Sequence, residues 1–232
     1  MKILFVSDVH FENQVFHGVD ESRAWNWLIS IIDFHRPDLV LSAGDLGTAV
    51  TVEHVDEVLK RCKFYTIYGN HDNVEVLEKT NILLKDGEVI NINGLNIVGI
   101  NGIISLWTPV KGSVPRKPPH VFLDIAKKVY EKYGNSIDIL LIHEVPNLPI
   151  YRGVLQMDWT KDVVREVVEI VKPKVCLNGH VHRIPYTYYK WKGIHYLRVE
   201  SSQFQKCYAI IYWDKKMIEI WKDKDKITTI TM

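Results

Sequence analysis

The chain has 232 residues, 47% of them hydrophobic and 25% charged, with a formal net charge of +1. That length and balance fit one large domain spanning 1–232, with enough chain to bury a substantial core. The near-neutral charge offers no global basic field for nucleic acid or an anionic membrane surface. Three scattered cysteines, Cys62, Cys176 and Cys207, argue against a disulfide framework and for a reducing compartment. No signal-peptide pattern opens the sequence and no apolar run approaches membrane-spanning length, so the expected location is cytoplasmic.

In chain order, an apolar run at 3–6 leads straight into Ser7-Asp8-Val9-His10. Residues 21–35 carry Trp25, Leu28, Ile29 and Ile32 at helical spacing and stop before Pro37. A second apolar run at 39–41 enters Ser42-Ala43-Gly44-Asp45, which makes a strand–helix–strand crossover. A helix is predicted over 51–62, with Val55, Val58 and Leu59 on one face. The run at 64–68 ends at Gly69-Asn70-His71-Asp72, and a short helix is expected over 74–79. Short strands are predicted at 81–84, 88–92 and 95–100, the last two joined by the hairpin signal Asn93-Gly94.

Residues 101–120 are irregular and long for a loop, with Lys111, Arg116 and Lys117 giving local positive charge. A substrate lid and an ordinary surface loop are equally consistent with that composition. An amphipathic helix follows over 121–133, closed by Gly134. The run at 139–142 meets His143. Thr160 is read as the N-cap of a helix over 161–171, and the run at 175–177 enters Asn178-Gly179-His180-Val181-His182. Beyond it the period drops to two. Hairpins are predicted from 186–191 with 194–199 and from 207–213 with 217–221, and the Lys-Asp run at 222–226 is read as a solvated tail or turn.

Five apolar runs thus end on Asp, Asn or His. Near-continuous apolar runs are the mark of strands covered on both faces, and ligands of open α/β sheets lie outside the carboxyl ends of such strands. Taken alone, Gly-Asn-x-Asp is also ordinary turn chemistry. If the five strands were neighbours in one parallel sheet, every polar cluster would fall on the same edge.

Asp8-x-His10, Gly44-Asp45, Gly69-Asn70-His71-Asp72, His143 and Gly179-His180-x-His182, in that order, resemble the motif set of the calcineurin-like metallophosphoesterase family. The resemblance implies an α/β fold, a four-layer sandwich of two mixed β-sheets flanked by helices. It implies two divalent ions, with Asp45 bridging them, Asp8, His10 and His182 completing one shell, and Asn70, His143 and His180 completing the other. The mixed imidazole and carboxylate donors suit Mn, Fe, Zn or Co, with Mn first, better than Mg or Ca. Two such ions roughly 3.5–4 Å apart clamp a phosphoryl group and present a bridging hydroxide for in-line attack. The family pattern also makes His71 the acid that protonates the leaving oxygen and Asp72 the group that orients it; the alternative for His71 is a structural imidazole. His17, His35, His54, His120 and His195 are assigned no role.

The chain departs from the serine/threonine protein phosphatases of this fold, which extend the second motif to Gly-Asp-x-x-Asp-Arg-Gly; here Gly44-Asp45 runs on to Leu46-Gly47-Thr48-Ala49. It is also too short for the added DNA-binding domain of the related repair nucleases. The expected activity is hydrolysis of a small phosphodiester, a nucleotide among the candidates, with no membrane partner and nucleic acid not favoured. Phosphomonoesterase, nuclease and a non-catalytic metal-binding scaffold are the alternatives.

Overall fold

A computed structural model describes residues 1–106, 114–156 and 158–232. The elements are β1 (Lys2–Val6), β2 (Val15–Phe16), β3 (Val19–Asp20), α1 (Ala24–His35), β4 (Leu39–Ser42), α2 (Val52–Leu59), β5 (Lys63–Thr66) and α3 (Val74–Lys79). They continue with β6 (Val89–Ile92), β7 (Leu95–Ile100), α4 (Pro119–Tyr133), β8 (Ile139–Ile142), α5 (Trp159–Val171) and β9 (Val175–Asn178). The chain closes with β10 (Tyr186–Trp191), β11 (Ile194–Val199), β12 (Cys207–Tyr212), β13 (Met217–Lys222) and β14 (Asp225–Thr231).

Two six-stranded sheets result, ordered β14-β13-β12-β1-β4-β5 and β10-β11-β9-β8-β7-β6. In the first, β1, β4 and β5 run parallel and β12 joins β1 antiparallel. In the second, β7, β8, β9 and β11 run parallel and hairpin partners close both edges. The five motif-bearing strands therefore do not share one parallel sheet. Three lie in the first sheet and two in the second.

The apolar runs have no polar alternation because each strand is covered on both sides. Ile3, Phe5, Leu39 and Leu41 face Ile97, Ile139, Leu141 and Leu177 between the sheets. The intervening Leu4, Val6 and Val40 pack against Trp25, Leu28 and Ile32 of α1 and Val55 and Val58 of α2. On the far side, Val98, Leu140 and Ile142 pack under Phe122 and Val129 of α4 and Val164 and Val168 of α5. This is the four-layer arrangement of helices, sheet, sheet and helices.

Several boundaries move for identifiable reasons. No strand forms over 81–84; the segment contributes one bridge, with Thr66 N donating to Ile82 O and Leu84 N to Thr66 O. Helix α5 is capped by Asp158 rather than Thr160, because the Asp158 carboxylate accepts from Thr160 N and Lys161 N and so starts the helix at Trp159. Helix α2 ends at Leu59, short of Cys62. The Lys-Asp run is a turn at Asp223-Lys224 leading into the edge strand β14, whose exposed Lys226 and Thr229 suit an edge that must not pair further. The β2–β3 hairpin has no counterpart among the predicted elements. No helix among the described residues is long and apolar enough to cross a membrane.

Candidate metal centre

Every motif lies just past the carboxyl end of its strand, and the two sheets bring those ends together. Asp8 N donates to Gly44 O, His10 N to Asp45 O, and Gly179 N to His143 O, so neighbouring motif loops are tied backbone to backbone. Asp8, His10, Asp45 and His180 all take left-handed backbone angles, with φ of 58°, 51°, 54° and 68°. That conformation costs a non-glycine residue roughly 1–2 kcal/mol, and such outliers cluster where a site over-determines the backbone. Gly69 answers a different demand. A Cβ there would collide with Asp45 Oδ1 and sit 2.6 Å from His143 Nε2, so the strand end approaches the ligands as closely as only glycine allows.

Asp8 and Asp45 are almost wholly buried. Asp8 Oδ1 is 4.0 Å from His10 Nε2 and 3.7 Å from His182 Nε2. Asp45 Oδ2 is 3.3 Å from His143 Nε2 and 3.8 Å from His10 Nε2, so one carboxylate oxygen reaches a nitrogen on each side. Its other oxygen accepts from Asn70 N at 2.6 Å and His71 N at 2.7 Å. His180 Nδ1 is 3.1 Å from His143 Nε2, while His143 Nδ1 donates to Ala43 O at 2.7 Å. Asp8, His10 and His182 form one group able to hold a metal ion, and Asp8, Asp45 and His143 form another, the donor atoms in each lying within 4.8 Å of one another.

The donor set fits cations on two further counts. His10 Nε2 and Asn70 Oδ1 are buried with no hydrogen-bond partner, a costly state for a polar atom unless a ligand satisfies it. The titration behaviour points the same way. Burial disfavours charge on His143, but the Asp45 and Asp8 carboxylates outweigh it and push the ring up to about 10. Burial would likewise raise Asp45, yet His143 and His10 hold its carboxyl below the usual range. The metal-free centre thus keeps a proton where positive charge is wanted. Burial and the neighbouring His143 bring His180 down to about 4, leaving a neutral imidazole of the form that ligates metals.

Asp72 does not orient His71. Its buried carboxylate accepts from Asp45 N, Leu46 N and Gly69 N at 2.7–2.8 Å, which ties the Gly-Asp loop to the Gly-Asn-His-Asp loop. Burial and the charge of Asp45 raise its pKa to about 7 against those three donors. His71 itself is exposed, with its ring centroid 5.3 Å from that of His10, and it lines the cavity above the centre.

Of the three basic residues in 101–120, Arg116 is exposed and Lys117 is engaged within the fold. Lys111 lies outside the described residues. Lys117 pairs with Asp86, donates to Asn101 O at 2.8 Å and covers the ring of Tyr68, while Asn101 Oδ1 accepts from Tyr68 N. It braces the end of the strand that leads to Gly69.

Other contributors lay beyond the motifs. Ser7 Oγ donates to Asp8 Oδ2 at 2.7 Å. Glu200 Oε1 lies 3.4 Å from His182 Nδ1, the partnership that fixes a ligating histidine's tautomer. Arg198, fully buried, donates to Val181 O and Ile184 O at 2.6 Å and so buckles the loop carrying His180 and His182. The sequence signal for Glu200 is weaker than for the motifs: 194–199 contains His195 and Arg198, and only the polar Glu200-Ser201-Ser202 directly after a predicted strand marks it. His17, given no role, lies at the tip of the β2–β3 hairpin and lines the cavity with His10, His71 and His182.

Comparison with known proteins agrees with this geometry. The chain is 26% identical over 195 residues to a probable cyclic nucleotide phosphodiesterase of Coxiella burnetii, covering 78% of this chain and 76% of that one. It is 27% identical over 259 residues to a probable glycerophosphodiester phosphodiesterase of Arcobacter nitrofigilis, covering 100% and 92%. The crystal structure of TT1561 of Thermus thermophilus shares the fold, with a TM-score of 0.73 at 13% identity over 96% of this chain and 99% of that one. The model of the calcineurin-like phosphoesterases matches residues 1–183. The chain belongs to the calcineurin-like phosphoesterase family and is a hydrolase of phosphoric esters.

Proposed function

We propose that the protein is a two-metal phosphodiesterase of small substrates, with Asp45 bridging, Asp8, His10 and His182 holding one ion, and Asn70, His143 and His180 holding the other. The observation that carries the reading is the position of Asp45 Oδ2, within 4 Å of a ring nitrogen from each half of the centre. Both relatives described above bear phosphodiesterase names, which supports diesters over monoesters. The ions would supply Lewis acidity toward the phosphoryl group being transferred to water.

The chain's own residues do the rest. Asp45 and Asp8 give the centre its negative charge, and the backbone ties between motif loops keep the donors fixed before substrate arrives. Glu200 and the Ala43 carbonyl hold two of the histidines by their far nitrogens. His71 gives a proton to the departing ester oxygen in this reading, which its exposure on the cavity wall beside His10 supports. The reading is of an enzyme acting within 1–232 as one domain.

Titration of metal-free protein with Mn tests it. Two ions should bind per chain in the wild type and neither tightly in Asp45→Ala, whereas Asn70→Ala should keep one. An aryl phosphodiester should be turned over faster than the matching monoester. Two ions retained in Asp45→Ala would remove the bridge, and faster monoester turnover would remove the diester assignment.

A further inference from the structure

A cavity of about 640 Å³ opens directly onto the candidate metal centre, and beyond His10, His71 and His182 its wall is built from parts that the family motifs do not include. Phe16 comes from the β2–β3 hairpin and Phe204 from the turn after β11, nearly two hundred residues apart in sequence. Each is about half exposed, at 49% and 48%, which is unusual for two large rings facing one space. Both are held by ordered segments. Gln14 Nε2 donates to Glu21 Oε2 at 2.8 Å across the base of the hairpin, and Thr48 N donates to Glu12 Oε1 at 2.7 Å. The turn bearing Phe204 is pinned by Ser201 N to Ser7 O, and Phe204 N donates to Ser202 Oγ.

The charge of this wall is one-sided. Among the described residues no lysine or arginine lines the cavity, whereas Glu12, Glu21 and Glu200 do. A second phosphate held against this wall would meet the Glu12 and Glu21 carboxylates, with no lysine or arginine among the described lining residues to compensate. Glu200 is 1% exposed, and its Oε2 is buried without a partner, so a donor hydrogen is wanted at the junction of cavity and metal centre. Aromatic faces, acceptors and the lack of a lysine or arginine among the described lining residues together favour an uncharged planar ring carrying hydroxyl or amino donors.

We infer that the Phe16–Phe204 cavity is the subsite for the ester's organic substituent, accepting one aromatic ring of the nucleoside type and rejecting substituents that bear a further anion. The inference rests on the phosphodiesterase reading above and narrows it. Mononucleoside diesters with a single negative charge fit, and nucleic acid strands or polyphosphate esters do not.

Three substrates sharing the p-nitrophenolate leaving group separate these features: methyl p-nitrophenyl phosphate, thymidine 5′-(p-nitrophenyl phosphate), and the latter carrying a 3′-phosphate. The Mn-loaded wild type should prefer the thymidine ester and discriminate against its 3′-phosphorylated form. Stacking of a base on an aromatic side chain is worth enough that Phe16→Ala and Phe204→Ala should each lower the thymidine-to-methyl ratio of kcat/KM by about 5- to 100-fold. Gln14→Lys, which adds a cation to the wall, should recover turnover of the 3′-phosphorylated ester. An unchanged ratio in both phenylalanine variants, or equal use of the two thymidine esters by the wild type, would overturn the inference. Thermal melting of each variant shows whether it is folded.

Failure of the phosphodiesterase reading is distinguishable, because the wild type would then hydrolyse none of the three. The subsite is tested in that case by calorimetric binding of thymidine 5′-monophosphate against methyl phosphate to the Mn-loaded protein. The nucleotide should bind more tightly, and Phe204→Ala should remove the difference; equal affinities in the wild type would sink the subsite as well.

Discussion

The metal rim and the cavity wall are adjacent, yet they are held by different means. At the rim, donors sit on left-handed backbone, with motif loops cross-tied by backbone hydrogen bonds and with Asp72 buried to tie two loops together. The wall is an exposed two-residue hairpin and a turn, fixed by a few side-chain bonds. A donor set tolerates almost no displacement, because each atom must reach a shared centre. A wall that recognises an organic group needs only a shape and a charge. Chemistry here is over-determined by the backbone, while substrate choice rests on a few replaceable side chains.

A glycine pair puts the contrast to its hardest test. Gly69→Ala should abolish both metal binding and activity, since the new Cβ occupies space taken by Asp45 and His143. Gly18→Ala, at the hairpin tip, meets nothing within 4 Å and carries only the strain of its φ of +79°, so it should cost roughly 1–2 kcal/mol locally and leave metal content intact. Calorimetric metal counts and melting curves check both. Loss of metal from the Gly18 variant would show that the wall is part of the rim.

The next effect concerns His71, which belongs to both regions. His71→Asn should lower turnover of a diester with an alkoxide leaving group by about 10²–10⁴-fold and affect a p-nitrophenolate leaving group far less. Equal losses on both would make His71 a phosphate-positioning group. Asp72→Asn should not reproduce that leaving-group dependence, because its carboxylate serves the backbone N–H groups of Asp45, Leu46 and Gly69 and not the His71 ring.

A smaller effect follows from the proton on His143. Its pKa is raised to about 10 in the metal-free protein, so the ring is protonated below that value and must release its proton for Nε2 to ligate. Metal affinity should therefore rise with pH, by up to about tenfold per unit below pH 10 when one proton is displaced. In the metal-free protein the same group stabilises the fold fully below its unfolded pKa, and that contribution is lost as pH rises through about 10. Affinity that is flat between pH 6 and 9 would mean that Nε2 of His143 is not a ligand.

The smallest effect lies furthest from the chemistry. Lys117→Met removes the bond to Asn101 O and the pair with Asp86 beneath the strand end, and should cost about 1–3 kcal/mol of stability. KM for a phosphodiester should not move. A raised KM with unchanged melting would restore the substrate-lid reading of the segment.

How much of this was legible in the sequence divides along the same line. The apolar runs of β1, β4, β8 and β9 announced themselves because burial on both faces leaves no alternation, and the motifs followed at once. The four-layer fold was implied by the motif resemblance; periodicity alone could not have distributed those runs between two sheets. Asp72 was misread because a carboxylate next to a histidine looks like its partner, whereas the strand geometry turns it toward three backbone donors. Thr160 was read as the cap from its place before a periodic run, whereas Asp158, two residues earlier, caps the helix. Strands β2, β3 and β14 were missed since two-residue pairings and a charged edge carry no hydrophobic period. Glu200 carried little signal because the motif set ends before it and the strand leading to it, with His195 and Arg198, is not a continuous apolar run.

One tie in the centre has a consequence for the order in which the molecule is made. His180 N donates to both oxygens of Asp8 at 3.0 Å across 172 positions of sequence. Asp8 meets Ser7 at once, but this bond to His180 waits until the last of the motif strands has been synthesised, and closing so wide a loop must precede any reward from the contact. Until then the carboxylate and imidazole donors of the amino-terminal half form at most part of a shell. The complete donor set proposed for the ions exists only once the last motif strand has joined its sheet, so full metal binding should follow the packing of the two sheets.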